Sequence, residues 1–339
     1  MFKKNLALCV AFSLLVAVSG AQTITIKMAT SAPDNSPWAN VLRALAADWE
    51  KISGGKIAVR LYIGMPGEEA DILQKMRFGL DAGMLSTVAL AGVAADVMAL
   101  SIPGLLTDDA SIEKSLAAVG PLLEQQLSKQ GFVMLTLAKG GWLRIFSRKP
   151  IRSVADLKGQ RFFVPSDGSY VAKVIQELGA VPVRTEGSAV IQRFATGTMD
   201  AIMYSPLQVS PQWSFFRPYL GAVSDIPVAP LFGAVVVARK TWERVPEDLK
   251  PALIAAAGSA SRNMSKESDK YEEAGLASMA RDGLVRPKFT RQDETEWRRA
   301  FAASSAKYAG EYFSRPILEL LSAASSGGFS FAGGTGVSP

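Results

Sequence analysis

The sequence predicts a mixed α/β protein with two lobes. Strand-like and helix-like segments alternate along most of its 339 residues, a rhythm typical of sheets with covered faces. Residues 78–84 (FGLDAGM) and 197–203 (GTMDAIM) repeat one order: helix, glycine, Asp-Ala and strand. A chain of this length with 48% hydrophobic residues also favours two cores over one. Two similar lobes that face each other would form a cleft, where small ligands commonly bind.

Residues 1–21 have the pattern of a secretory signal peptide. Lys3 and Lys4 supply the positive start, an apolar run follows, and small residues end at Ala21 as in a cleavage site. The apolar run is too short to span a bilayer. We therefore expect export to the periplasm, with cleavage after Ala21. The single cysteine, Cys9, lies in this segment, so a hydrophobic core and not a disulfide must hold the exported chain together.

The first lobe is predicted to begin with a strand and a capped helix. Ser36 fits the N-cap of this helix and Pro37 its first position. Further along, Glu68 and Glu69 fall at a predicted helix start, where solvated carboxylates are common. The segments alternate in the order strand 23–30, helix 36–55, strand 56–64, helix 67–79, a short strand, helix 111–130 and strand 131–140.

The second lobe repeats this alternation, and long helices close the chain. Residues 232–257 are expected to form a strand that crosses back to the first lobe, followed by a helix, and long helical segments follow at 263–282 and 291–324. The predicted limits are 22–143 with about 233–260 for the first lobe, 144–232 with part of 261–324 for the second lobe and connecting C-terminal helices, and 325–339 for a flexible tail.

The composition argues against most classes of enzyme. The chain has no His, and its one Cys lies in the predicted signal peptide, which excludes Ser-His-Asp and Cys-His catalysis and His-ligated zinc. It contains no glycine-rich phosphate motif, although paired-carboxylate chemistry stays open. A net charge of +6 is too small for a nucleic-acid footprint. We predict no catalytic residue, no metal, no cofactor and no membrane-spanning segment.

Several segments, taken in order, resemble the solute-binding proteins of TRAP transporters, the DctP family. The resemblance covers residues 24 to about 320. It implies a two-lobed periplasmic-binding fold of type II that closes on a small ligand and delivers it to the TRAP membrane permease subunits. Some relatives also use a tetratricopeptide-repeat protein, and such a partner stays open here. The segments are ATSAPDNSPWANVLRALAADWEKISGGKIAVRLYIG, GEEADILQKMRFGLDAGML, KPIRSVADLKGQRFFVP, ELGAVPVRTEGSAVIQRFATGTMDAIMYSP and VVVARKTWERVPEDLKPALIAAA.

This chain departs from the family at the positions that usually hold the ligand. Relatives commonly place an Arg before the Val-Pro of the third segment, and this Arg grips a carboxylate. Phe163 stands there, and Leu143 stands at a second position that is frequently basic. Because a buried carboxylate without a cation is costly, we expect a hydrophobic or uncharged ligand. The candidate lining residues are Trp38, Trp142, Phe163, Tyr204, Gln208, Trp213 and Phe232.

Three alternatives stay open. Arg161 shares a strand face with Phe163, about 7 Å away, and could restore a carboxylate clamp or lie at the rim in solvent. Phe163, Trp38 and Trp142 could be core residues, and Trp213 could anchor the surface of a lobe. The protein could also be a sensory or scaffold protein that needs no ligand.

Overall fold

The computed structural model describes residues 23–67, 69–165 and 168–325. The predicted signal peptide and nearly all of the predicted tail lie outside the described residues. The described chain has the predicted α/β architecture, with long helices at its C-terminal end. Among its helices, none has the length and apolar character needed to cross a membrane.

The described residues form nine strands and twelve α-helices. The strands are β1 (Ile24–Thr30), β2 (Ile57–Ile63), β3 (Ala82–Ser86), β4 (Phe132–Ser147), β5 (Arg161–Pro165), β6 (Val181–Thr185), β7 (Ala201–Tyr204), β8 (Ala222–Val223) and β9 (Ala229–Ala238). The helices are α1 (Pro37–Ile52), α2 (Glu69–Arg77), α3 (Thr87–Leu90), α4 (Asp109–Lys129), α5 (Ser169–Glu177), α6 (Val190–Ala195), α7 (Pro206–Val209), α8 (Trp213–Phe216), α9 (Arg239–Trp242), α10 (Lys250–Arg281), α11 (Arg291–Tyr312) and α12 (Arg315–Ala324).

One continuous sheet joins the two lobes, in the order β2-β1-β3-β9-β4-β7-β5-β6. In the first lobe β1 is parallel to β2 and β3, while β9 runs antiparallel to β3 and β4. In the second lobe β5 is parallel to β6 and β7. The long strand β4 belongs to both lobes, because it pairs with β9 as far as Leu143 and with β7 from Arg144 onward. The predicted lobe limits stay a prediction.

Helix α1 confirms the predicted start of the first helix. Ser36 is its N-cap, with Oγ accepting from the backbone N of Ala39 at 3.2 Å, and Pro37 occupies the first turn. Its buried face packs on α10, where the indole Nε1 of Trp49 donates to the carbonyl oxygen of Leu253 at 3.1 Å. This contact holds α1 against α10, the longest helix of the described chain.

Three element boundaries differ from the sequence prediction. Strand β4 does not end at Gly140 but continues through a bulge between Lys139 and Gly141 into the second lobe. Helix α10 is continuous, whereas the sequence predicted a helix that ends near residue 257 and a separate helical segment at 263–282. It contributes buried residues to the cores of both lobes. The predicted helix 291–324 is two helices, since the chain turns at Phe313 and Ser314 before α12 begins at Arg315 with Pro316 in its first turn.

Candidate functional site

A cavity of about 310 Å³ lies between the two lobes. Most of its wall comes from the first lobe: the carboxyl ends of β1 and β3, the first half of α1, and parts of β4, β9 and α10. The second lobe adds Gly187, Ser188 and Gln208. Because β1 and β3 are parallel, their carboxyl ends meet at one edge of the sheet, which is where α/β proteins commonly bind ligands.

The wall of the cavity is mainly apolar. The first two turns of α1 face it from one side, and the central residues of β9 face it from the other. A wall of this kind favours ligand surface at roughly 25 cal/mol per Å² of apolar area removed from water. Its larger apolar side chains are Trp38, Val41, Leu42, Leu45, Met84, Leu85, Leu231, Phe232, Val235 and Met264.

Lys139 is the one cationic residue among the described residues of the cavity wall, and its charge is already paired. Its Nζ lies 2.7 Å from Asp109 Oδ1 and 3.0 Å from Asp269 Oδ1, with the ring centre of Trp142 at 4.9 Å. The Lys139 side chain is only 2% exposed. A ligand anion would therefore have to compete with two carboxylates for this ammonium group. The described residues place no cluster of three or more Asp, Glu, His or Cys side chains for a metal ion.

Glu69 is the one acidic residue that the described wall contains. Its Oε1 accepts from Ser31 Oγ at 2.8 Å, while Oε2 accepts from the backbone N of Ser86 at 3.1 Å and from Ser86 Oγ. It is half-buried at the start of α2 and is not the solvated helix-start charge that the sequence suggested, while Glu68, of which the same was expected, lies outside the described residues. Sequence reasoning missed it because its two partners lie 38 positions before it and 17 positions after it.

Three of the eight predicted site residues line the cavity: Trp38, Gln208 and Phe232. Trp38 is half-buried, and its indole Nε1 donates to the carbonyl oxygen of Gly140 at 3.1 Å. It thus connects α1 to the part of β4 that crosses between the lobes. Gln208 belongs to α7, where its Oε1 accepts from the backbone N of Ser205 at 2.9 Å.

Phe163, Tyr204 and Trp213 are not among the lining residues. Phe163 is 7% exposed and packs edge-on against Tyr204, with ring centres 5.7 Å apart. Both rings belong to the hydrophobic core of the second lobe. Trp213 lies in the same core and donates from Nε1 to Asp282 at 3.0 Å. In this structure Phe163 is therefore a buried core residue, which was one of the alternatives that the sequence left open.

Arg161 and Trp142 also lie outside the described lining. The Arg161 guanidinium grips Asp200 with two hydrogen bonds of 2.7 Å, from Nε to Oδ2 and from Nη2 to Oδ1. This pairing lowers the pKa of Asp200, mainly through the hydrogen bond from Arg161. Trp142 is buried on β4, and its Nε1 donates to Asp269 at 3.0 Å.

A buried carboxylate on α10 joins the two lobes beside the cavity. Glu272 is 3% exposed, and its Oε1 accepts from the backbone N of Trp142 at 2.6 Å and from Ser205 Oγ at 2.8 Å. Ser205 caps α7, the helix that carries Gln208. Burial raises the pKa of Glu272 to about 7, against hydrogen bonds and the Arg144 charge that act to lower it. No motif in the sequence indicates this contact.

We expect ligand binding to change tryptophan fluorescence through Trp38. It is the one tryptophan of six that lines the described cavity, so a bound molecule would alter the surroundings of that indole directly. In Trp38→Phe the ring stays apolar and the ligand-induced change should largely disappear. Trp213→Phe is the matched control, since its indole lies in the core of the second lobe. An unchanged signal in Trp38→Phe would show that the ligand binds elsewhere.

Comparison with known proteins identifies relatives along most of the chain. Residues 28–311 match the DctP family model, described as bacterial extracellular solute-binding protein, family 7. A TRAP periplasmic solute-binding protein from Sulfurospirillum deleyianum with bound succinate is 21% identical, at a TM-score of 0.78 over 87% of this chain and 97% of the other. A TRAP protein from Desulfovibrio salexigens with bound orotic acid is 16% identical, at a TM-score of 0.81 over 89% and 97%. DctP7 from Bordetella pertussis, which binds pyroglutamic acid, is 21% identical, at a TM-score of 0.79 over 88% and 99%.

Proposed function

Because the chain belongs to the bacterial extracellular solute-binding proteins of family 7, we propose that it captures a small, predominantly apolar ligand that has no carboxylate. The ligand would bind in the cavity between the lobes, and the loaded protein would deliver it to the membrane permease subunits of a TRAP transporter. Residues 1–21 would direct export to the periplasm and be cut off after Ala21.

The single observation that carries this proposal is the character of the cavity wall. Nearly all of the wall's larger side chains are apolar. Lys139 is the one cationic residue of the described wall, and its ammonium group is held between two aspartates. A carboxylate in this cavity would lose its hydration without gaining a free cationic partner, which costs several kcal/mol. An apolar molecule gains free energy from the same wall in proportion to the area that it buries.

A second candidate function is the binding of a small carboxylate. The solved relatives favour it, since those from Sulfurospirillum deleyianum and Desulfovibrio salexigens hold succinate and orotic acid. In this chain the clamp would have to come from Lys139, released from Asp109 and Asp269, or from Arg161, released from Asp200. Each route breaks existing ion pairs, so the apolar ligand is the better supported proposal.

Native mass spectrometry of freshly purified mature protein tests the proposal. We expect a largely apolar molecule without a carboxylate to co-purify and to be lost in Val41→Arg, which places a cation in the half-buried wall of α1. Ile52→Arg is the matched control, because it makes a similar change on the same helix at a more exposed position outside the cavity wall. Each variant is checked by circular dichroism, so that a loss of fold is not read as a loss of binding.

The opposite result would identify the second candidate. A small carboxylate that co-purifies with wild-type protein and is absent from Arg161→Ala would show that the Asp200 pair opens to clamp the ligand. A carboxylate lost from Lys139→Met but kept by Arg161→Ala would place the clamp on Lys139. Either outcome would contradict the apolar ligand.

A further inference from the structure

We propose that the ligand carries a hydrogen-bond-donating head group, an alcohol or a protonated amine, that binds Glu69. This inference rests on the proposed function, and it names the class of solute that the cavity takes. The rest of the ligand would lie against the apolar wall formed by α1, β9 and α10.

The first argument is the hydrogen-bonding capacity of the Glu69 carboxylate. An ionised carboxylate only accepts hydrogen bonds, and its two oxygens together offer about four acceptor positions. Within the described residues three are filled: Oε2 receives the backbone N and Oγ of Ser86, and Oε1 receives only Ser31 Oγ. One acceptor position on Oε1 is left for a donor that arrives in the cavity.

The second argument is the direction of the neighbouring hydroxyl groups. Ser31 and Ser86 both give their hydroxyl protons to Glu69, so what remains on these oxygens is lone pairs. Ser86 Oγ also accepts from the backbone N of Ala89 at 3.5 Å. The corner of the cavity formed by Glu69, Ser31 and Ser86 therefore presents acceptors and no side-chain donor. We call these three residues the acceptor corner.

The acceptor corner selects by repulsion as well as by attraction. A ligand carboxylate placed there would meet a like charge and lone pairs, an arrangement that discriminates against the wrong ligand. An alcohol would donate one hydrogen bond, and an ammonium group would add charge attraction to it. A hydrocarbon without a donor would fill the apolar wall but leave the acceptor on Oε1 without a partner.

Isothermal titration calorimetry with four molecules of matched size tests this inference. The probes are phenethylamine, phenethyl alcohol, phenylacetate and ethylbenzene. We expect the amine and the alcohol to bind wild-type protein on the order of tenfold or more tighter than ethylbenzene and phenylacetate, the factor for one hydrogen bond to a charged acceptor. In Glu69→Gln the amine should lose about tenfold in affinity, and phenylacetate should gain.

Glu177→Gln is the matched control, since Glu177 is a half-exposed carboxylate outside the cavity wall that contacts Lys307 and Tyr308. Its preference for the four probes should equal that of wild-type protein. The order of the four affinities in wild-type protein tests the donor head group even if Glu69→Gln folds poorly. Equal binding of ethylbenzene, alcohol and amine would overturn the donor head group and leave the apolar ligand standing. Tightest binding of phenylacetate, or no binding of any probe, would overturn both proposals.

Discussion

Replacing Gly141 by alanine is expected to lower the free energy of unfolding by about 3 kcal/mol or more. Gly141 has φ of +143°, a backbone conformation that side chains other than glycine rarely adopt. A Cβ at this position would lie 2.5 Å from Glu272 Oε1 and 2.8 Å from Ser205 Oγ. The substitution would therefore strain the backbone where β4 crosses between the lobes and separate Glu272 from its two donors.

The matched control is Gly310→Ala in α11. Gly310 is exposed, and a Cβ there would meet no atom within 4 Å. Alanine in a helix is favoured over glycine by about 0.5 to 1 kcal/mol, so this variant should be slightly more stable than wild type. Urea unfolding of both variants, followed by circular dichroism, measures the difference. A Gly141→Ala midpoint equal to that of wild type would contradict the tight packing described at the crossing.

The sequence predicted the architecture well because the relevant signals are local. Ser36 and Pro37 mark the start of α1, and the alternation of strands and helices follows from segments of ten to twenty residues. The predicted ends of strands and helices were wrong where local sequence signals and tertiary pairing disagree. The Gly140–Gly141 pair has the composition of a strand end, yet β4 continues there because β9 pairs with it on both sides of the bulge.

The candidate site was harder to predict because it depends on which element covers each face of a strand. Alternation correctly assigns Phe163 to one face of β5, but it cannot tell that α6, α7 and α8 cover that face as a core. Glu69 shows the complementary failure. Its hydrogen bonds are with Ser31 and Ser86, which only the fold brings to it. Of the predicted lining residues, Trp38, Gln208 and Phe232 line the cavity.

Where the chain crosses between the lobes, two carboxylates of α10 bind residues from distant parts of the chain. Glu272 binds the backbone of Trp142 on β4 and the cap of α7, while Asp269, one turn earlier, holds Lys139 and the Trp142 indole. Because α7 also carries Gln208, the same carboxylate supports a residue of the cavity wall. The protonation state of Glu272 should therefore affect the strength of this joint between the lobes, that is, of the hydrogen bonds from Trp142 and Ser205 to Glu272.

We expect Glu272 to make the protein less stable as the pH rises from about 4.5 to about 7. In the folded protein burial raises the pKa of this carboxyl group from its ordinary 4.5 to about 7. Between these values the folded chain keeps a proton that the unfolded chain has released, so stability falls with rising pH and levels off above the folded pKa. Across the whole shift in pKa, the loss in the free energy of unfolding is about 3 kcal/mol.

Glu272→Gln should remove this pH dependence and raise stability at about pH 8, where wild-type protein must bury the charge. The amide keeps an oxygen for the Trp142 and Ser205 donors, and it replaces the protonated Oε2 with an uncharged group of the same size. Glu272→Ala, which leaves both donors without an acceptor, should be destabilised at every pH. Urea unfolding at about pH 5 and about pH 8 compares these variants with Glu267→Gln, an exposed position on the same helix. If wild-type and Glu272→Gln proteins lose stability in parallel over this range, the buried carboxylate is not the group that titrates, and the joint between the lobes does not respond to its charge.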